Sequence, residues 1–355
     1  MNLTRYIPIL AAATLIITTQ LLLSAIGQPF YMREITTSAY YALVVIGLCL
    51  LMGYAGQVSL GHAGFFAIGG YVCGAMTTCN LIDYRGAWLL TLARPAKLLI
   101  ERQDLYGRNM LCFSPWGSFI IALLLAAIIA YLIGLPVIRL KGHYLAMATL
   151  GFGLIISRIV QGAKVFGQAD GIYNVPPFQL FGNIQITGDS DYRIQNYYIA
   201  WAVVLAAMLL AINLVHSRVG RALRSIHQSE EAAHSLGVNT FQYKLGTFVL
   251  SAVFAAAGGA LLTFYNGAIS PSEASVMKSV RYVAIVAVGG MANLWGAMIM
   301  GIVLNFLSLR HKFGIYDEAV FGAILIAVMI FAPNGLLRMP RRELLQRFFS
   351  RRSYG

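Results

Sequence analysis

Gly53-Tyr54-Ala55-Gly56-Gln57-Val58-Ser59-Leu60-Gly61-His62-Ala63-Gly64 is the stretch on which the reading of this chain turns. It joins two apolar runs, residues 38–52 and 60–79, each barely long enough for a span of about 20 residues. Repeated glycine breaks a helix, since each costs about 1 kcal/mol relative to alanine. Gln57, Ser59 and His62 add polar groups that lipid cannot satisfy. Irregular backbone at that depth is tolerated only when it is buried in protein or lines a wet cavity. Gly289-Gly290-Met291-Ala292-Asn293-Leu294-Trp295-Gly296 is a second such break, late in the chain. Glycine-broken segments in two halves of a membrane protein point to a transport pathway. The candidate pathway residues are therefore Gly56, Gln57, Ser59, Gly61, His62, Gly289, Gly290 and Asn293. The alternative is a pair of tight interhelical turns, with the glycines serving close packing.

Composition places both breaks in a bilayer. Of 355 residues, 59% are hydrophobic and 11% charged, with a mean hydropathy of +0.71. Soluble domains carry roughly 25% charge, and so few charges in water would leave large exposed apolar patches. The net charge of +13 does not indicate nucleic acid. The basic residues sit between apolar runs, as expected when Lys and Arg set membrane orientation. Cys49, Cys73, Cys79 and Cys112 form no CxxC pair and read as inert thiols. No Walker A sequence is present, and no metal-ligand cluster stands out.

Further spans are expected at residues 6–27, 116–135, 143–161, 197–216, 244–265, 280–292, 294–309 and 315–332. With the two runs above, this is an all-α polytopic protein of about ten crossings. The tail at 333–355 carries Arg338, Arg341, Arg342, Arg347, Arg351 and Arg352, which marks it as cytoplasmic. An even count puts the N-terminus on the same side. Residues 163–196 then fall outside. The mixed stretch 80–115 reads as an insertion, and its middle, 88–100, as an amphipathic segment along the membrane surface.

Residues 217–243 form a charged loop between two strong spans. A helix is expected there, with an apolar stripe of Ala222, Ile226, Ala233 and Leu236 and a stop at Gly237. Such a helix is suited to a groove on a soluble partner; the alternative is a solvated surface helix. His227 and His234 lack a third ligand and read as surface histidines. Catalysis is not indicated. Ser59 and His62 stand three apart, but Gln57 occupies the place of the first glycine in Gly-x-Ser-x-Gly, and no carboxylate lies near to orient the histidine. A stand-alone secondary transporter would need intramembrane carboxylates. The spans hold almost none, with Glu318 the nearest case, so an external energy source is favoured.

These blocks resemble the membrane subunits of high-affinity branched-chain amino-acid ABC importers, the LivM-type more than the LivH-type. The first block is similar to the family's Gly-Tyr-Ala-Gly-Gln-x-Ser-Leu-Gly-His signature. Gly142-His143-Tyr144-Leu145-Ala146-Met147-Ala148-Thr149-Leu150-Gly151 matches another block, residues 289–301 a further one, and 221–237 followed by Tyr243-Lys244-Leu245 resembles the coupling loop. The likeness runs over residues 48–333. It implies one permease domain over 1–355 in a bacterial inner membrane, without a cofactor. It implies a second permease subunit, two cytoplasmic ATP-binding subunits and an extracytoplasmic solute-binding protein as partners. Arg221, Arg224, Glu230, Glu231, Ala233 and Gly237 would couple to the ATPases. The departures are His143 in place of an acidic residue, His227 in place of a basic one, and Gly167-Gln168-Ala169 before Asp170-Gly171, where the family shows Thr-Gly-Gly. They leave other amino acids, urea and short amides open as solutes.

Overall fold

The computed structural model describes residues 7–28, 30–80, 99–103, 109–140, 142–182 and 184–309, with short pieces between 319 and 327. Its elements in order are α1 (Ile7–Ala25), α2 (Phe30–Ala55), α3 (His62–Thr78), β1 (Leu99–Gln103), β2 (Asn109–Phe113), α4 (Pro115–Val137) and α5 (His143–Gly162). Then come β3 (Phe178–Phe181), β4 (Ile184–Ile186), α6 (Arg193–His216), α7 (Arg218–Gln228), α8 (Glu230–Ser235), α9 (Thr240–Asn266), α10 (Val276–Gly289) and α11 (Leu294–Leu309). Six helices are long and apolar enough to cross a membrane: α1, α2, α4, α5, α6 with the turn before it, and α9. The shorter α3, α10 and α11 fill the remaining expected spans among the described residues, and most of 315–332 lies outside them.

Burial separates the helices into two kinds. Nearly every residue of α2 from Thr36 to Gly53 is buried, as is most of α3 and α9. A helix apolar all round and buried all round is a core element. Around it α1, α4 and α5 turn Leu10, Leu22, Leu124, Leu132, Met147 and Ile155 outward, the pattern of a lipid-facing shell. Close approach within the core depends on glycine. A Cβ on Gly259 of α9 would overlap the Phe66 carbonyl of α3, and one on Gly69 of α3 would overlap the Ala256 carbonyl of α9. Small residues that let backbones touch are how helices associate where no hydrophobic effect drives them together.

Three expectations need correction. The chain is not purely helical: β1–β2 and β3–β4 form antiparallel hairpins. Leu99 and Ile100, placed at the end of an amphipathic surface segment, belong to β1 and pair with Phe113 and Cys112; the rest of that segment, 88–98, and the tail at 333–355 lie outside the described residues. The charged loop is two helices rather than one. Ser217 caps α7 by accepting from Val219 and Gly220 N–H. Ser229 then adopts an extended conformation and caps α8 by accepting from Ala232 N–H, because a serine oxygen competes for backbone donors and favours a helix start over a helix interior.

Candidate translocation and coupling site

The break between α2 and α3 is built by one left-handed residue. Gly56 has φ +68°, a region that glycine enters without steric cost. The chain folds back so that Gln57 N–H donates to Leu51 O at 3.2 Å. The next donors find partners on distant elements. Leu60 N–H donates to Thr149 Oγ1 on α5 (3.0 Å), and Ala63 N–H to Ser279 Oγ on α10 (3.0 Å). Gly61 is pressed against the same helix, since a Cβ there would stand 2.5 Å from Thr149 O and 3.1 Å from the Phe152 ring.

His62 is fully buried. Its Nδ1 is bonded to Ser59 Oγ (3.0 Å) and its Nε2 to Ser251 Oγ on α9 (2.7 Å). Both ring nitrogens are thus committed within the fold, and among the described residues no carboxylate joins them. The arrangement locks the start of α3 to α9, and a second serine stands where a hydrolase triad has its carboxylate. Gln57 is the contrast. It is 3% exposed, and neither its Oε1 nor its Nε2 has a hydrogen-bond partner among the described residues. A buried unpaired amide costs about 1–3 kcal/mol, so this side chain is the polar group at the break most in need of water or a passing solute.

The second break has a different construction. Gly290 has φ +100°, and Asn293 Oδ1 accepts from Gly296 N–H at 3.1 Å, which makes Asn293 the cap of α11. Gly289 lies against Ala297, where a Cβ would come within 2.6 Å of its Cα. The two breaks meet through residues not singled out for it. A Cβ on Gly53 would overlap the Met291 carbonyl, and Tyr54 OH donates to Ala292 O at 2.9 Å.

The charged loop packs beneath the first break. Leu223, Ile226 and Ala233 are buried, while Leu236, expected in that stripe, is 83% exposed. The stripe fails there because α8 stops at Ser235 and the left-handed Gly237 (φ +82°) turns the chain away. Arg224 is not a free surface cation: its Nη2 donates to Val215 O at the end of α6 (3.3 Å) and its Nε to Gly220 O within α7 (3.3 Å). Glu230 pairs with Lys244 of α9. Arg221 and Glu231 are exposed, and Ala233 is buried. Sequence spacing missed the contact that ties the two regions together. His227 of α7 lies against Gly56, with its Nδ1 at 3.0 Å from where a Cβ would be. Only an alignment of residues 56 and 227 in space reveals it.

Four separated blocks thus converge: residues 53–64, Thr149 with Phe152, residues 289–297, and α7. The sequence profile of the branched-chain amino acid transport system permease component matches residues 30–332. The chain belongs to that permease family. Among its relatives, it is 30% identical to the high-affinity branched-chain amino acid transport system permease protein LivM of Escherichia coli K12, covering 91% of this chain and 75% of the relative. It is 27% identical to the LivH permease protein of Salmonella typhimurium LT2, covering 87% and 94%. It is 24% identical to a probable LivM permease of Methanocaldococcus jannaschii, covering 84% and 90%. No solved structure matches the chain. Relatives of both permease types align along most of this multi-pass membrane protein, as expected for two subunits built on one pattern.

Proposed function

We propose that this permease moves branched-chain amino acids, or related small amino acids, across a bacterial cytoplasmic membrane. In this reading a binding protein delivers the solute from outside and two ATPases drive its passage. A second permease of LivH type completes the pathway. The chain itself carries out no covalent chemistry and holds no cofactor. Both termini and residues 217–243 face the cytoplasm, 163–196 face outward, 80–115 is an extramembrane insertion, and 333–355 is a basic cytoplasmic tail.

The contact of His227 with Gly56 carries the mechanism. A shift of α7–α8 on an ATPase is felt at once by the break between α2 and α3. There the backbone has few helical hydrogen bonds to lose and Gln57 has none in its side chain. Movement at Gly56 changes what Gln57, Ser59 and Gly61 present, while Gly289, Gly290 and Asn293 hold the second break against the end of α2. Arg221, Glu231 and the exposed Leu236 form the outer face of the loop, where a partner can dock. Arg224, Glu230, Ala233 and Gly237 set its shape.

Reconstitution of the permease with its partners in liposomes tests the reading. ATP-dependent uptake of leucine, isoleucine and valine, competing with one another, is expected. Uptake of urea or acetamide without leucine would replace the solute, and uptake without ATPases would replace the class.

A further inference from the structure

At the end of the bundle away from α7 and α8 lies a cavity of about 190 Å³, whose lining includes Phe66, Tyr173, Leu262, Ile269 and Glu273. It is small beside the ~300–1,000 Å³ of drug-sized ligand sites, a scale that suits an amino acid. Its lining comes from α3, the last turn of α9 and the loops that follow α5 and α9. Those loops are joined by the Ile172–Ile269 backbone bridge.

The charged residue of this lining, Glu273, sits among neighbours unusual for a membrane protein. The Glu273 carboxylate pairs with Lys278 Nζ and accepts from Tyr41 OH at 2.9 and 3.1 Å through its two oxygens. Lys278 Nζ in turn donates to Tyr41 OH (3.1 Å) and stands 5.0 Å over the Tyr41 ring. The pair is largely shielded, with side-chain exposures of 15% for Glu273 and 24% for Lys278. Tyr41 stacks on the cavity residue Phe66, with ring centres 5.4 Å apart, and Tyr282 packs at 6.3 Å from Tyr41. Tyr71 lies within electrostatic reach of the same carboxylate. The hydroxyls of Tyr71 and Tyr282 are buried without a hydrogen-bond partner among the described residues.

A shielded ion pair gives little net stability, because the cost of removing both charges from water roughly cancels their attraction. Spare buried hydroxyls beside it only add to the cost. Their chemistry matches a ligand instead. A carboxylate beside an ammonium is the counterpart of an α-amino-acid head group, and the wall of Phe66, Leu262 and Ile269 suits an aliphatic side chain. We infer that this cavity is an entry subsite for an aliphatic α-amino acid. Glu273 takes the α-ammonium, Lys278 takes the α-carboxylate, and the apolar wall takes the side chain. The solute exchanges its own two charges for the internal pair, so no charge is left bare and the solute is passed on rather than held. The inference rests on the amino-acid reading proposed above.

Saturation-transfer NMR on the whole importer in lipid nanodiscs, without the binding protein, tests it with L-leucine as the probe. The wild type should bind L-leucine, and Glu273→Gln and Lys278→Met should each weaken that binding at least tenfold. Isovalerate and isoamylamine, each with one head-group charge, should bind the wild type at least tenfold more weakly than leucine. The double variant E273K/K278E keeps an ion pair and guards against simple misfolding. At wild-type membrane levels its leucine uptake should stay at least fivefold down. Wild-type uptake by the swapped pair, or leucine binding unchanged in Glu273→Gln, assigns the pair to structure alone and overturns the subsite. A wild-type importer that takes up leucine but shows no Glu273-dependent signal rejects the subsite and leaves the amino-acid reading standing. Uptake of urea in place of leucine removes both.

Discussion

Gln57 and His62 sit five residues apart at one break, yet their surroundings call for opposite outcomes on substitution. His62 has both ring nitrogens bonded, to Ser59 and Ser251. In membrane proteins such a side-chain bond is worth about 0.6 kcal/mol on average and 1–2 kcal/mol at best. Ser59→Ala should therefore cost about 0.6–1 kcal/mol and leave uptake near normal. His62→Leu removes both bonds and strands two hydroxyls, and should cost about 2–4 kcal/mol. Thermal denaturation of the purified complex measures both. Gln57→Met removes an amide that no described residue satisfies. It should raise stability by about 1 kcal/mol and lower uptake severalfold. If Gln57→Met transports at the wild-type rate, the amide has no part in passage. Gly61→Leu would force a side chain into Thr149 O and Phe152. Its first effect should be loss of assembled complex, seen as reduced pull-down of the partner permease. Normal assembly and transport by this variant would show that the gap at Gly61 is not needed.

At the scale of elements, the proposed coupling makes α7 and α8 a lever, with the extended Ser229 between them, Gly56 against His227 at one end and the left-handed Gly237 at the other. Glu230 and Glu231 lie in the first turn of α8, where acidic side chains favour the positive end of the helix dipole. Glu230 also ties α8 to Lys244 of α9. Reversing both glutamates, or Gly237→Pro at a position with φ +82°, should leave the permease in the membrane while separating ATP hydrolysis from uptake. Gly56→Val tests the other end of the lever. Valine is strained at φ +68°, and its side chain would push His227 away. The number of solute molecules moved per ATP should fall by at least fivefold. An unchanged ratio, with both activities intact, would detach α7 from the break. The sequence indicated a charged helical loop here and its stop at Gly237. It could not indicate the split at Ser229, since the preference of serine for a helix start is too weak to break a helix by itself, nor the loss of Leu236 from the stripe, which follows from where α8 ends.

For the whole molecule, the test is sidedness. On a background without Cys49, Cys73, Cys79 and Cys112, a cysteine at the exposed Ser229 should react with an impermeant reagent only from the cytoplasmic side. One at the exposed Ser190 should react only from outside. Labelling of position 229 in intact cells would invert the assignment. Two features at this scale fit a single orientation. Arg139 lies over the Phe241 ring, at 5.8 Å, on the side where α7 and α8 lie, so the basic residues of two separate loops gather at one end, as the positive-inside pattern requires. The loops bearing Ile172 and Ile269 close the other end.

Sequence alone determined the membrane class, since no arrangement of a chain with 59% hydrophobic and 11% charged residues could hide its apolar surface from water. It also located both helix breaks and the charged loop, because glycine density and polarity against an apolar background are local signals. Tertiary structure decided which polar groups at those breaks are already satisfied. His62 and Gln57 look alike in sequence, and only the arrival of Ser251 from α9, 189 positions away, separates a structural bond from an open amide. Tertiary structure also decided that α2 lies inside and α1, α4 and α5 outside, since all four are apolar enough to face lipid. The contact of His227 with Gly56 and the pairing of Tyr41 with Glu273 belong to that level too. Partners so distant along the chain meet only when helices pack, and no periodicity along the sequence encodes which faces will touch.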